Sequence, residues 1–267
     1  METEEKKVYR PTGVNEFVGI TIDFETGGLP SAKLAFRDIA ITQISLNAFR
    51  LKDMEMVDRM VMYVYPYYRQ PQKKLKKKDE EIREELMEYS QAALDFTGIT
   101  MSMLKEHGED ITIVGQKALD FIDRNITGRT KTGAPMKQFK PIFLGQNFPF
   151  DAQFWAQLME RSGLEKEASK LLSGTTDYWG NFQPTYIDTL QISRLALCDD
   201  ENFTAYSLGN VSDKLGLPLF DAHDAQADTD ATFNVLAYFT AKMRGGGSAM
   251  SDDLFFEQEK ERLHFKI

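Results

Sequence analysis

Two acidic residues, two positions apart, have the type and spacing that divalent-metal chemistry uses. Asp23 and Glu25 end the segment FVGITIDFE (17–25), whose alternating, β-branched pattern predicts a strand. Such side chains share one face of a strand, and two carboxylates so close repel each other unless a cation joins them. Hard divalent cations take carboxylate oxygens as ligands. Taken alone, this short pattern fits a strand with two solvated acids better.

A third acid, Asp151, lies in the helix predicted for FPFDAQFWAQLMERSG, after the apolar strand PIFLGQN. It shares a helical face with Phe154 and Leu158, and a carboxylate on an apolar face is costly unless it is paired or metal-bound. Asn147, just before Pro149, is the predicted N-cap. The alternative for Asp151 is an acid of the first turn that the helix dipole stabilises.

The segment HDAQADTDAT (223–232) adds a fourth acid and a histidine. Asp228 is predicted one turn inside a helix over 224–243, on the same apolar stripe as Phe239. His223 precedes this helix in a loop, from which its side chain can swing over the same site. The alternative for His223 is a loop histidine bonded to a neighbouring acid.

The other acids of this segment are predicted to lie outside the site. Asp230 falls on the helical face opposite Asp228 and is expected to be solvated. Asp221 and Asp224 are expected to cap the helix or to be solvated.

The charge of the whole protein argues against a molecule that holds nucleic acid by global attraction. The 267 residues carry 41 acidic and 32 basic side chains, a net charge of −9, whereas binders of that kind are basic. An enzyme that grips a few nucleotides through metal ions and a local patch remains compatible with this charge.

The remaining composition indicates a soluble, intracellular protein. A single cysteine excludes an intrachain disulfide and fits a reducing compartment. The charged N-terminus does not resemble a signal peptide, and no apolar run reaches the ~20 residues that span a bilayer. We expect a cytoplasmic protein, nucleoid-associated if bacterial and nuclear if eukaryotic.

Three leading strands followed by alternating helices and strands predict an α/β layer fold with a mixed sheet. The strands form a meander over FVGITIDFE, RDIAITQISLNAFR and EMVDRMVMYVYP. The charge-dense residues 72–90 are predicted to be helical and residues 173–185 to form a long loop. The predicted organisation is a flexible leader over 1–16, one domain over 17–243, and a linker with a short tail over 244–267.

The ordered set of motifs resembles a known enzyme family. DFETGGL, NFPFD and HDAQAD are similar to the three exonuclease motifs of the DEDDh-type (DnaQ-like) 3′–5′ exonucleases, a family that includes the epsilon proofreading subunit of bacterial DNA polymerase III. DIAITQISL, FTGIT, YIDTLQISRLAL and SLGNVSDKLGLPL also resemble family segments. The resemblance covers about 17–243 and implies an RNase H-like fold, with a mixed central β-sheet flanked by helices.

The resemblance also implies a catalytic set. Asp23 would bridge two Mg²⁺ or Mn²⁺ ions, and Glu25 and Asp228 would complete one metal site. Asp151 would act on the second ion, directly or through water. His223 would take the proton from the attacking water, and a 5′-mononucleotide would leave the 3′ end.

Residues that would contact the substrate follow from the same motifs. The backbone of the TGGL turn would approach the terminal nucleotide, because glycine permits close contact, and a leucine would pack on the base. For Gly28 the alternative is an ordinary turn glycine, and for Phe150 it is core packing. The implied substrate-binding residues are Thr26, Gly27, Gly28, Leu29, Asn147 and Phe150.

The expected substrate is a DNA 3′ end, preferably single-stranded or frayed, and DNA is favoured over RNA. The alternatives are an RNA or oligoribonucleotide 3′–5′ exonuclease, and a catalytically silent nucleic-acid-binding module of the same fold. All five catalytic residues are present, which argues against the silent module.

Three further segments carry weaker hypotheses. The run KKLKKK (73–78) would contact phosphates or form a solvated face. Tyr178, Trp179 and Phe182 would stack on bases or cover the sheet. The tail sequence SDDLFF faintly resembles clamp-binding peptides, and would link the enzyme to a DNA polymerase or sliding clamp in replication, proofreading or repair.

Overall fold

The computed structural model describes residues 16–69, 84–217 and 223–245. The strands are β1 (Val18–Thr26), β2 (Ile41–Arg50), β3 (Met56–Tyr63), β4 (Tyr67–Arg69), β5 (Glu84–Leu86), β6 (Ile142–Gly145), β7 (Gly174–Thr176), β8 (Phe182–Pro184) and β9 (Tyr186–Asp188). The helices are α1 (Gln91–Thr97), α2 (Met101–His107), α3 (Ile111–Arg124), α4 (Pro149–Ser162), α5 (Glu165–Leu171), α6 (Thr189–Leu197), α7 (Leu208–Leu215) and α8 (Ala225–Met243).

The centre of the fold is a five-stranded mixed sheet in the order β3-β2-β1-β6-β9. Strands β1, β2 and β3 form the predicted antiparallel meander, and β6 and β9 continue the sheet parallel to β1. The carboxyl ends of β1, β6 and β9 therefore lie at one edge of the sheet. The sequence prediction of an α/β fold with a mixed sheet is confirmed.

Helices cover both faces of the sheet. On one face, Ile20 and Ile22 of β1 pack in a common core with Phe121 of α3 and with Phe154 and Trp155 of α4. On the other face, α8 packs on β1, β2 and β6. Because strand side chains alternate between faces, Asp23 and Glu25 point away from the first core and towards α8.

The prediction of a helix over 72–90 is wrong where the structure tests it. Residues Glu84–Leu86 form strand β5, which pairs with β4 and places Leu86 opposite Tyr67. Pairing with a neighbouring strand here overrides the helical propensity of a Glu-rich segment.

The prediction of a long loop over 173–185 is also wrong, because the segment forms a β-hairpin of β7 and β8. The Asp177 carboxylate closes its turn by accepting hydrogen bonds from the backbone N–H groups of Trp179 and Asn181. Tyr178 and Trp179 are 94% and 81% exposed at the tip, so they do not cover the sheet.

Several predictions lie wholly or mostly outside the described residues: the leader over 1–16, of which only Glu16 is described, the KKLKKK run and the tail beyond 245. Within the described ranges, no helix combines the length and apolar character that crossing a membrane requires. Cys198 is exposed and is the C-cap of α6.

Candidate active site

Strand β1 places Asp23 and Glu25 next to each other on the face that α8 covers. In the ladder with β2, Asp23 lies opposite Ser45 and Glu25 lies opposite Gln43. The register shifts directly after Glu25: Thr26 lies opposite Ile41, so Thr42 is an extra residue of β2. Bulges of this kind re-aim side chains at the ends of strands next to functional sites.

Helix α4 brings Asp151 to the same place. Strand β6 pairs with β1 only as far as Thr21, and α4 follows β6 after a short connection. Further along β1, the backbone N–H of Phe24 donates a hydrogen bond of 3.1 Å to Oδ1 of Asp151. Asp151 is 3% exposed, so the acid on the apolar face of α4 is buried as predicted.

Helix α8 supplies Asp228 from its first turn. Asp224 is the N-cap, and its carboxylate accepts hydrogen bonds from the backbone N–H groups of Gln226 and Ala227. One carboxylate oxygen from each of Asp23, Glu25 and Asp228 lies within 4.8 Å of the other two. Asp151 stands beside this acidic triad.

Burial and mutual repulsion raise the pKa of every carboxyl group in the cluster. Burial raises the pKa of Asp23 well above its usual value, and Asp151, Asp228 and Glu25 raise it further. Burial, then the charge of Asp228, raises the pKa of Glu25 to about 8. Burial raises the pKa of Asp228 to about 6, against an opposing effect of His223. The negative charges of these carboxylates repel one another, and a bound divalent cation would neutralise them.

Asp151 follows the same pattern. Burial raises its pKa well above the usual value, although the Phe24 N–H favours the charged form. A donor set made only of carboxylate oxygens fits Mg²⁺ or Mn²⁺ in chemical type. The four acids together therefore form a candidate metal centre.

His223 directly precedes Asp224, the N-cap of α8. It is close enough to Asp228 to lower the pKa of that carboxyl group. Its φ of 77° is in the left-handed region, which non-glycine residues seldom adopt. The imidazole lies against the ring of Phe96, with 3.8 Å between the ring centroids and 39° between their planes.

The TGGL turn divides into a buried and an exposed part. Thr26 is buried, and its hydroxyl donates to the carbonyl oxygen of Gly28 at 2.9 Å. Gly27 is also buried, and a Cβ there would lie 2.6 Å from the carbonyl oxygen of Glu88. Leu29 is 73% exposed. Leu29 is therefore the residue of the turn that is open to a ligand, whereas Thr26, Gly27 and Gly28 are buried and shape the turn.

Two predicted contact residues flank Asp151. The prediction that Asn147 is the N-cap of α4 is wrong: Phe148 occupies that position, and Pro149 is the first helical residue. Asn147 adopts a φ of 58°, and its backbone N–H donates to Oδ1 of Asp188. Its side chain is exposed at the start of α4.

Phe150 is half-buried, and its ring contacts those of Phe36 and Phe154, with centroids 5.7 Å and 5.0 Å away. Phe150 therefore packs at the edge of the core, as the alternative for this residue expected.

The sequence analysis missed a polar row on β2 that holds α8 in place. The Gln43 side chain donates to Oδ2 of Asp224 at 3.1 Å and accepts from the backbone N–H of Ala225 at 3.0 Å. Ser45 is hydrogen-bonded to Thr229 at 2.9 Å. The signal was present in ITQISLN, where polar residues alternate with apolar residues along a buried strand.

The same row corrects the prediction for Asp230. Asn47 donates to Oδ1 of Asp230 at 2.8 Å, and Arg59 lies 3.4 Å from the same oxygen. Asp230 is therefore bound to the sheet rather than solvated. Asp224 is confirmed as a helix cap, and Asp221 lies outside the described residues.

The β7–β8 hairpin does not join the site. It leads directly into β9, so its tip lies towards the amino-terminal end of that strand. The acidic residues lie at the carboxyl ends of β1 and β6. The exposed rings of Tyr178 and Trp179 are thus at the opposite edge of the sheet.

No protein-family profile matches this sequence, and no curated protein sequence matches it. Among solved structures, a structure of exonuclease I is similar with a TM-score of 0.58 and 17% identity, over 85% of this protein and 41% of that one. The zinc-bound form of the Escherichia coli exonuclease I–ssDNA complex is similar with a TM-score of 0.56 and 18% identity, over 87% and 42%. E. coli exonuclease I with a dT13 oligonucleotide has a TM-score of 0.55 and 16% identity, over 86% and 42%.

These similarities establish the fold. The five-stranded mixed sheet flanked by helices is an RNase H-like fold, as the motif resemblance implied. The present protein spans about two fifths of the length of the exonuclease I molecules, which is 41% for the first structure.

Proposed function

We propose that residues 17–243 form a divalent-metal-dependent 3′–5′ exonuclease domain, which releases 5′-mononucleotides from single-stranded or frayed DNA ends. The observation that carries the proposal is the convergence of Asp23, Glu25 and Asp228, whose carboxylate oxygens lie within 4.8 Å of one another. A buried cluster of acids with raised pKa values destabilises the folded protein. Such clusters therefore point to a functional site, and a bound divalent metal ion would offset the repulsion.

The structural relatives support DNA as the substrate. They include exonuclease I in complexes with ssDNA, dT13 and dA16. The present protein shares their fold and supplies acids from β1, α4 and α8, where the three motifs predict them. RNA remains the second candidate because the metal chemistry acts on the phosphodiester, which both nucleic acids contain.

The residues present would hold two Mg²⁺ or Mn²⁺ ions. Asp23 would contact both, Glu25 and Asp228 would complete one site, and Asp151 would serve the other directly or through water. When bound, such a pair of ions stabilises both the attacking and the leaving oxygen of an in-line displacement.

His223 would act as the general base. Its imidazole would accept a proton from the water that attacks the terminal phosphodiester, and the 3′ oxygen of the shortened strand would leave. His223 lies close enough to Asp228, a proposed metal ligand, to lower the pKa of that carboxyl group. Imidazole suits the task because a ring nitrogen can accept a proton from a bound water.

The exposed part of the TGGL turn and the start of α4 border the acidic cluster. Leu29 and the backbone of Gly28 would contact the terminal nucleotide, and the exposed side chain of Asn147 would add a polar contact at the start of α4. Thr26 and Gly27 would support this contact by holding the turn.

The test is a degradation assay with 5′-labelled single-stranded DNA, the matching duplex and the matching RNA, each with Mg²⁺, with Mn²⁺ and with chelator. We expect a metal-dependent ladder that shortens from the 3′ end, fastest on single-stranded DNA and absent from the Asp23→Ala variant. Faster cleavage of RNA would reassign the substrate. No cleavage of any substrate would leave a nucleic-acid-binding module of this fold.

A role in proofreading, replication or repair would involve a DNA polymerase or a sliding clamp as partner. The tail sequence SDDLFF is the proposed contact. A protein truncated after Arg244 should keep its exonuclease activity and lose binding to a sliding clamp. Unchanged clamp binding would reject this link. Such an enzyme would act in the bacterial cytoplasm or the eukaryotic nucleus.

A further inference from the structure

We infer that Phe96 is a positioning residue, which holds the imidazole of His223 over the acidic cluster. The inference rests on the proposed function, because it assigns His223 the role of general base. Phe96 lies in the last turn of α1, far from His223 in sequence, and belongs to none of the three motifs.

The contact between the two rings is close. Their centroids are 3.8 Å apart and their planes differ by 39°. Phe96 is nevertheless 65% exposed, and Leu94 is the buried residue of α1. Core packing therefore does not account for the place of Phe96.

Helix α1 is fixed relative to the metal ligands. The backbone N–H of Ser90, its N-cap, donates to the carbonyl oxygen of Gly27 at 2.7 Å, and Gly27 follows Glu25 by two residues. The Phe96 ring is thus carried on an element that is tied to the strand of Asp23 and Glu25.

His223 needs a support of this kind. Its backbone is in the left-handed region, directly before the N-cap of α8. The packing of α8 fixes the main chain here and leaves the side chain free to rotate about its own bonds. The Phe96 ring restricts the imidazole to the orientations that pack against it, and a base must lie within hydrogen-bond reach of the proton it takes.

The first test compares kcat and KM on single-stranded DNA for Phe96→Leu and Phe96→Tyr. Phe96→Leu should lower kcat roughly 3- to 10-fold with KM unchanged, which is the scale of one aromatic contact. Phe96→Tyr keeps the ring and should restore kcat. A raised KM with kcat unchanged would show that Phe96 contacts substrate instead, and would overturn the inference, as would no change.

Phe17→Leu is the matched control. Phe17 is 56% exposed and its ring contacts that of Phe139, with 5.3 Å between centroids. It precedes β1, at the end of the sheet away from the acids. Both kinetic constants should stay at the wild-type values in this variant.

A second readout does not require activity. The full protein has three histidines, so the imidazole C–H signals can be assigned by NMR with a His223→Gln variant. The aromatic ring of Phe96 should shift the His223 signals upfield, and Phe96→Leu should abolish that shift. Identical His223 signals in wild type and Phe96→Leu would overturn the inference. If the wild type has no nuclease activity, the proposed function fails, and this NMR result alone decides whether Phe96 holds His223.

Discussion

The backbone N–H of Phe24 and Oδ1 of Asp151 are hydrogen-bonded at 3.1 Å, which ties α4 to the strand residue between two other acids. Under the proposed function Asp151 has two tasks: its Oδ1 accepts this hydrogen bond, and its negative charge would neutralise a metal ion. An amide oxygen can perform the first task but not the second, so substitution can separate the two.

Asp151→Asn should lose nuclease activity, by a factor on the order of 10³ or more for a member of a catalytic unit, and should keep its stability. Asp151→Leu should also be inactive, but it leaves the Phe24 N–H unsatisfied and should cost about 1–3 kcal/mol in unfolding free energy. Urea unfolding and the degradation assay measure the two effects. Equal stability of the two variants would contradict the structural role.

Asp228→Asn should weaken divalent-metal binding strongly, because it removes one of the three converging carboxylates. Asp230→Asn is the matched control, two residues further along α8 and bonded to Asn47 rather than to the cluster. Calorimetric titration with Mn²⁺ measures both. Equal loss in the two variants would show that the charge of the region matters and not the triad.

The metal-free protein should lose stability as pH rises. The folded-state pKa of Glu25 is about 8 against an ordinary value of 4.5, so its contribution is fully present below about pH 4.5 and is lost as pH rises through about 8. Each unit of difference corresponds to about 1.4 kcal/mol, so we expect a decrease of a few kcal/mol in unfolding free energy. Mg²⁺ should stabilise the protein more at alkaline than at acidic pH.

Urea unfolding in chelator, from about pH 5 to about pH 9, measures this slope. Glu25→Gln should flatten it. Asp58→Asn is the control: burial alone would raise the pKa of Asp58, but hydrogen bonds from Arg124 and Asn125 lower it. Its titration lies below this range, so the slope should not change. A slope that is equally steep in Glu25→Gln would refute the assignment.

Gln43→Ala should reduce both stability and activity, although Gln43 is not a metal ligand. The substitution leaves the Ala225 N–H without its acceptor and frees the N-terminus of α8, at a cost of about 1–3 kcal/mol. Gln116→Ala is the control, because that glutamine makes an exposed hydrogen bond to Asp120. It should change stability by less than about 0.5 kcal/mol.

Gly27→Ala and Gly28→Ala should differ although they are neighbours. A Cβ at position 27 would lie 2.6 Å from the backbone oxygen of Glu88, whereas at position 28 the nearest atom is the Ser90 hydroxyl oxygen at 3.8 Å. Gly27→Ala should cost roughly 1–3 kcal/mol and Gly28→Ala should leave the thermal midpoint near the wild-type value. Equal midpoints would contradict the close approach at Gly27.

The elements that place the acids were predictable because their signals are local. Alternation in FVGITIDFE assigns Asp23 and Glu25 to one face, and the apolar stripe of α8 assigns Asp228 to the covered side. The strand pairing of Glu84–Leu86 was not predictable, because it depends on contact with Tyr67–Arg69. The hairpin over 174–184 was missed because its turn is closed by the Asp177 side chain, which binds Trp179 and Asn181, and the aromatic residues at its tip suggested a loop.

Contacts between distant segments limited the prediction of the site. The Phe24–Asp151 bond, the Gln43–Asp224 bond and the Phe96–His223 contact each join segments that no local pattern connects. Asn147 was predicted as the N-cap of α4 because asparagine is common at that position. Its backbone is left-handed instead, and Phe148 is the N-cap.

The hydrogen bond between Gln43 and Asp224 spans 181 positions of the sequence. Contacts of high sequence separation form late, because a long loop must close before they contribute. The β1–β2 hairpin can form from neighbouring residues, but the acidic triad is complete only when α8 docks. During refolding, affinity for a divalent ion should therefore return with the last phase, after most of the secondary structure has formed. During synthesis on the ribosome, Asp23 and Glu25 emerge early, and most of the polypeptide must follow before Asp228 completes the triad.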